Sequence, residues 1–349
     1  MKILISNDSP TAHYYIRLGF AGALTLSGHE VIIWDLDKKN AFDAFDEFNP
    51  DIFVSQGYNL NDSIIECIRR RPELKVSLKC GDWGKPSQAM DLKKYPILTA
   101  SDKEIALVTK LQKLTGRPNL IDIHYPQKYA NETHEFWNTT LGIKICGLMS
   151  GADIVDYTRG QFNEKYKSDL AFVGGRWGYK SQTIDRWILP LLNPELNLNF
   201  KIFGNQPWGV PQYAGFIETK YIKDILASAT ICPNISEPHS QDFGYDIVER
   251  PFKLLSNKCF VISDAVKGLQ ELFSNDEIVF ANNPTEFREL VEHYLKYPEE
   301  RIAKINKGYL EVINKHTYFH RAAQFFEALD ISTESIYTGL AYAKEKLCL

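Results

Sequence analysis

The sequence has no long hydrophobic run. Its apolar opening, Ile3-Leu4-Ile5, breaks at once into SNDSP, so neither a signal peptide nor a transmembrane segment is read there and a cytoplasmic protein is expected. Close cysteine pairs are lacking too. Cys67, Cys80, Cys146, Cys232, Cys259 and Cys348 are scattered, which indicates no disulfide frame and no zinc site; reduced, buried thiols are expected. Sequons at Asn131, Asn138 and Asn234 then carry no meaning. Neither sign of charge dominates: 40 basic against 44 acidic residues give a net charge of -4, no footprint for general nucleic-acid or anionic-membrane binding. The basic run Arg69-Arg70-Arg71 ends a helical pattern and reads as a solvated helix terminus. No G-x-G-x-x-G joins first strand to first helix in either half, which argues against a dinucleotide-dependent oxidoreductase. No His/Cys/Asp cluster has metal-ligand spacing, no D-x-D aspartate pair is read after a strand, and no metal site is expected.

What is present suffices for two cores, since 349 residues exceed what one hydrophobic core usually serves. KILIS, the polar NDSPTAHYY, the helical IRLGFAGALTLSGHE and VIIWD spell strand, turn, helix, strand, a βαβ unit with parallel pairing. Apolar runs at DIFVSQ, LKVSLKC, YPILTAS, LIDIHY and IKICGLM alternate with helical patterns and make the first half an open α/β sheet. In LIDIHY, Asp122 and His124 are expected to face opposite ways, so that one at most reaches a site. Residues 150–168 lose periodicity and gain charge and glycine, as a connecting segment would. The alternation restarts with SDLAFVGG and runs through NFKIFG, ATICPN, KCFVISD and EIVFA. The fold class is therefore α/β: one Rossmann-like domain over 1–160, a second over 161–330, and a helical tail over 331–349 that has the option of packing back on the first.

Two stretches carry chemistry. In AFVGGRWGYKSQTIDRW, a strand breaks into Gly174-Gly175 and resumes as a helix, with Arg176 and Lys180 in the turn. Glycines permit close backbone approach, a helix N-terminus favours anions, and one arginine plus one lysine suit a pyrophosphate. The alternative is a surface turn whose charges face water. In SQDFGYDIVERPFKLL, Gln241 and Glu249 bracket Phe243-Gly244. Gly244 and Tyr245 are expected at a helix N-terminus, with Glu249 one turn inside, where a carboxylate can accept two ribose hydroxyls. An internal ion pair of Glu249 with Arg250 or Lys253 is the competing reading.

The ordered series SDLAFVGGRWGYKS, FKIFG, YAGFIE, ILASATICPN, QDFGYDIVERPFKLL, CFVISD, GLQELF and HTYFHRAAQFFEAL resembles the C-terminal domain of the GT-B glycosyltransferases, more narrowly the CgeB-like, glycosyltransferase group 1-like members. The resemblance covers about residues 168 to 329 and implies two Rossmann-like domains facing a central cleft. It implies that Gly175, Arg176 and Lys180 hold the donor diphosphate, that Glu249 holds the ribose, that the segment with Phe216 and Ile217 reads the nucleobase, and that Gly244 and Tyr245 lie beneath the phosphates. Gln241 stands where retaining members carry a glutamate near the transferred sugar. It can bond a hydroxyl but supplies no negative charge, so the stereochemical outcome stays open. The first half resembles the family's acceptor side, with Asp8, His13 and Asp82 as the candidate catalytic bases. Tyr14 and Trp83 are candidates to stack on sugars.

The function implied is metal-independent transfer of a sugar from a nucleotide-sugar co-substrate, a UDP-sugar by expectation, to the hydroxyl of a glycan, protein, lipid-linked sugar or modified nucleobase, with no further cofactor. A sugar-nucleotide epimerase on the same fold and a catalytically silent nucleotide-sugar-binding structural protein are the alternatives.

Overall fold

A computed structural model describes residues 1–7, 12–80, 102–158, 160–176 and 178–348. The chain divides into two compact units: residues 1–150 with 318–349, and residues 151–317.

In unit 1 the chain runs β1 (Lys2–Asn7), α1 (Ala12–Leu26), β2 (Glu30–Asp35), α2 (Ala41–Phe48), β3 (Ile52–Gln56), α3 (Asp62–Arg69), β4 (Lys75–Lys79), α4 (Asp102–Thr115), β5 (Leu120–Ile123), α5 (Gln127–Thr139) and β6 (Lys144–Gly147). All strand pairings are parallel, in the order β2-β1-β3-β4-β5-β6. Strands covered on both faces need consecutive apolar residues, and Ile3, Leu4 and Ile5 are each at most 2% exposed. Asparagines start the short helices: Asn40 accepts the N–H of Asp43 ahead of α2, and Asn61 that of Ile64 ahead of α3. The strand expected in YPILTAS lies outside the described residues.

Unit 2 continues with β7 (Ser168–Val173), α6 (Ser181–Ile188), β8 (Phe200–Phe203), β9 (Tyr213–Gly215), α7 (Thr219–Ser228), β10 (Ala229–Asn234), α8 (Pro238–Phe243), α9 (Arg250–Ser256), β11 (Val261–Asp264), α10 (Lys267–Leu272), β12 (Val279–Ala281), α11 (Pro284–Lys296) and α12 (Pro298–Lys315). Its strands are again all parallel, ordered β12-β11-β10-β7-β8-β9. Leu170, Phe172, Ile202, Ile231 and Ile262 form the centre of its core.

Two expectations about organisation are corrected. Residues 151–167 are no free connector: Thr158 Oγ1 donates to the Ser256 carbonyl at 2.6 Å, the Gln161 N–H to Asp224 Oδ1 at 2.8 Å and the Asn163 N–H to Ser228 Oγ at 2.8 Å, all within unit 2. The first boundary therefore falls after Ser150. The second falls before residue 318, because α13 (Tyr318–Ala328) and α14 (Glu334–Lys346) both belong to unit 1. There the Phe325 ring meets Phe20 of α1 edge-on at 5.5 Å, and Arg321 Nε donates to the Ser150 carbonyl at 3.0 Å. Apolar burial on α13 thus ties the last 32 residues, not the last 19, to the first unit. Among the described residues no helix is long and apolar enough to cross a membrane.

Candidate functional site

In an open parallel sheet, ligands settle beyond the carboxyl ends of the strands where the strand order reverses. In unit 2 that point lies between neighbours β7 and β10, whose chains leave for opposite sides of the sheet. Gly174 follows β7 directly. A Cβ there would sit 2.9 Å from the Phe172 ring, and one on Gly204, just past β8, would press into the Gly174 carbonyl. At Gly204 two backbones meet, which requires glycine, whereas at Gly174 the crowding comes from the side chains of Phe172 and Arg250. The Gly174 N–H donates to the Phe203 carbonyl at 2.9 Å, which fixes the turn that Gly175 and Arg176 continue.

Arg176 and Lys180 arrive with partners. The Arg176 guanidinium donates through Nε and Nη2 to the two Asp185 oxygens at 2.7 and 2.5 Å, a fork-to-carboxylate pair that raises its pKa. Lys180, at the start of α6, lies 2.9 Å from Glu237, and both side chains are 16% exposed. The turn therefore holds two ion pairs, not two bare cations. Only anions able to compete with Asp185 and Glu237 gain from it.

Beside this pair runs a polar chain the sequence argument missed. Tyr179 OH and His239 Nδ1 are 2.6 Å apart with their rings stacked, the His239 N–H donates to Tyr179 OH at 3.1 Å, and His239 Nε2 is 2.5 Å from Asp246 Oδ2. One assignment satisfies every member: the tyrosine donates to Nδ1, and Nε2–H donates to the carboxylate. Burial raises the Tyr179 pKa, against the His239 backbone bond, so the phenol keeps its proton. The chain ties the residue before Lys180 to α8. Its only sequence signal is a tyrosine and a histidine 60 positions apart, which no local pattern links.

Glu249 precedes α9, a quarter exposed, with Lys253 at 3.7 Å. Burial opposes its ionisation, but Lys253, Arg250 and Lys180 outweigh that and hold the carboxyl at about 2. The ion-pair reading is thus realised, with a carboxylate that is charged at neutral pH. Arg250 is the other residue missed: its Nη1 donates to the Ile235 carbonyl at 3.1 Å while the guanidinium lies over the Phe172 ring at 4.8 Å. It spans from β7 to the end of β10, directly under the switch point.

Gly244 and Tyr245 are corrected. Gly244, at φ 76°, closes α8 by donating to the Ser240 carbonyl at 2.8 Å, so it ends a helix instead of opening one. The next helix waits until Arg250 because Pro251 fits only a first turn. Tyr245 is buried. Phe216 is 69% exposed on the segment between β9 and α7, while Ile217 packs against the cluster of Tyr166, Ala171, Phe203 and Ile225. Gln241 Nε2 donates to Asp264 Oδ2 at 2.8 Å.

In unit 1, Asp8 and Asp82 lie outside the described residues, as do Trp83 and the side chains of His13 and Tyr14, although His13 and Tyr14 belong to α1. Asp122 and His124 do not face opposite ways: positions two apart on a strand return to one face, and both line a cavity of about 80 Å³ at the strand ends. Arg17, Gln56, Lys79 and Arg321 share that lining. Burial draws Arg321 down to about 10. Asp35-Leu36-Asp37 at the end of β2 is a D-x-D step that escapes the sequence argument. Asp35 accepts the Asp37 N–H at 3.1 Å and lies 3.0 Å from Lys38, which makes it an exposed turn.

A family model described as glycosyl transferase-like matches residues 180–327. No curated protein sequence matches the chain. Among solved structures, T4 phage BGT in complex with its UDP-glucose substrate is 14% identical at a TM-score of 0.58, covering 95% of this chain and 100% of its own. An alpha-glucosyltransferase in complex with UDP-glucose and abasic DNA is 10% identical at 0.63, over 93% and 98%. Sucrose-phosphate synthase from Thermosynechococcus elongatus is 10% identical at 0.61, over 95% and 98%. Two all-parallel six-stranded units give this chain the GT-B fold of these structures, and its residues 180–327 match the glycosyl transferase-like model.

Proposed function

We propose that the chain transfers a sugar from a UDP-linked donor to an acceptor hydroxyl, and that it belongs with the CgeB-like members of its fold. One observation carries the reading. At the switch point of unit 2, a glycine turn, the start of α6, Arg176, Lys180 and the ionised Glu249 come from separate elements to one strand end. In this role the donor diphosphate takes over from Asp185 and Glu237 as partner of the two cations. The leaving diphosphate is then stabilised by Arg176, Lys180 and the free N–H groups opening α6, without a divalent metal. Glu249 accepts the ribose hydroxyls. UDP-glucose in the T4 phage BGT and alpha-glucosyltransferase complexes supports the choice of donor. The acceptor belongs to unit 1, where Asp8, His13 or Asp82 acts as base.

The test is a thermal-shift series with UDP, GDP, dTDP, CDP and UDP-glucose, with EDTA present throughout. Ligand at about a hundred times its Kd adds about 2.7 kcal/mol, a shift of a few degrees. A selective shift with UDP and UDP-glucose in EDTA is expected. A shift that appears only on adding Mg²⁺ or Mn²⁺ refutes metal independence, and no shift from a cooperatively melting protein refutes the donor site.

A further inference from the structure

Gln241 and Asp264 form a contact in which an amide meets a carboxylate whose other oxygen is already engaged. Asp264 ends β11 and is 1% exposed. Its Oδ1 accepts from the Ser236 N–H at 3.0 Å, from Ser236 Oγ at 3.0 Å and from Ser263 Oγ at 3.4 Å; Oδ2 accepts from Gln241 Nε2 at 2.8 Å. An ionised carboxylate only accepts, whereas a primary amide has one donating and one accepting end. Asp264 therefore dictates which way the Gln241 amide faces: the nitrogen toward the acid, the carbonyl oxygen away from it.

Gln241 itself is placed by α8. Its backbone N–H donates to the Glu237 carbonyl at 3.1 Å, so the residue that binds Lys180, at the cap of α8, and the residue that binds Asp264, within it, lie one turn apart. A glutamate at 241 would set a second carboxylate at hydrogen-bond distance from the buried Asp264, where both cannot stay ionised. Arg250 is the cation whose charge acts on Asp264, and it also serves Glu249 and Glu237. Given Asp264, glutamine is the residue that fits.

We propose that Asp264 is a positioning residue that orients Gln241, so that the Gln241 carbonyl oxygen is the acceptor presented to a hydroxyl of the donor sugar. This rests on the nucleotide-sugar reading of unit 2 and assigns a specificity element within it: sugars lacking the matching hydroxyl lose the bond, and UDP alone never makes it.

The experiment measures UDP and UDP-glucose affinities for the full chain and for D264N, Q241E and Q241E/D264N, each checked for cooperative melting. D264N and Q241E are expected to weaken UDP-glucose by about fivefold or more, the size of one hydrogen bond, while leaving UDP within about twofold. In the double substitution the amide at 264 donates to the carboxylate at 241, and UDP-glucose affinity is expected to return to within about threefold of wild type. Equal weakening of UDP and UDP-glucose, or a double substitution no better than Q241E, overturns the proposal. If Q241E fails to melt cooperatively, D264N and the double substitution still decide it by the same UDP-glucose-to-UDP ratio. Wild-type protein that binds neither ligand overturns the donor site and this inference together, whereas intact UDP binding without the pattern overturns the inference alone.

Discussion

Both units are six-stranded parallel sheets, yet their strand ends are furnished differently. Unit 2 fills its switch point with matched charges, Arg176 with Asp185, Lys180 with Glu237, and Glu249 among Lys253, Arg250 and Lys180. Unit 1 leaves a cavity there, with apolar walls from Ile5, Phe20 and Phe325 and a polar side from Arg17, Lys79, Asp122 and Arg321. The same architecture thus supports two recognition strategies. A pre-paired charge network suits a ligand of fixed, strong charge that can displace internal anions. A mixed cavity suits a ligand with apolar faces and a few hydrogen-bonding groups.

The contrast breaks most visibly at the glycines. Gly204→Ala pushes a methyl into the Gly174 carbonyl, and a loss of about 3 kcal/mol or more is expected in urea unfolding. Gly209→Ala, at φ 67° with nothing within 4 Å, should cost about 1 kcal/mol. Equal costs would mean that the turn yields and that close backbone contact does not build the site.

A smaller effect concerns acid. The Glu249 carboxyl sits at about 2 in the folded chain, below its ordinary 4.5, so its stabilisation is full above about pH 5 and drains away as pH falls toward 2. Between about pH 5 and pH 3 the wild type should lose about 2 kcal/mol more stability than Glu249→Gln. Parallel curves would show Glu249 to be unpaired in solution.

The smallest effects sharpen the idea of exchangeable pairs. Lys180→Ala should lower turnover of a UDP-sugar by about tenfold or more, since it removes a charged hydrogen bond. Glu237→Gln, which removes the competitor for that lysine, should tighten UDP binding by about two- to fivefold. If Glu237→Gln weakens UDP instead, Glu237 holds Lys180 in place and does not compete for it.

How much of this the sequence showed follows from how far apart the partners lie. The glycine turn and its two basic residues fall within one strand-turn-helix step, and apolar runs announce the elements around them. Asp185 and Glu237 were invisible as partners, because an acid on the next helix turn or after a distant strand looks like any solvated charge. Gly244 ends a helix where the sequence suggests the start of one, because a glycine closes a helix as readily as it precedes one, and only Pro251 marks where the next begins. Arg321 and Phe325 lie about 200 to more than 300 positions after the strands whose cavity they line, and the place of α13 in the first unit is hidden for the same reason.

That late return of the chain has a consequence for synthesis. Unit 2 is an insertion whose entry and exit lie side by side: Ala152 bridges Thr317 and donates to the His316 carbonyl at 2.8 Å. It can therefore close on itself while the ribosome is still at work, whereas unit 1 must wait, its apolar face on α1 uncovered, until residues 318–346 emerge. The first half of the polypeptide to be made is the last to be finished, and a nascent chain stalled near residue 317 is the form in which this protein is most in need of a chaperone.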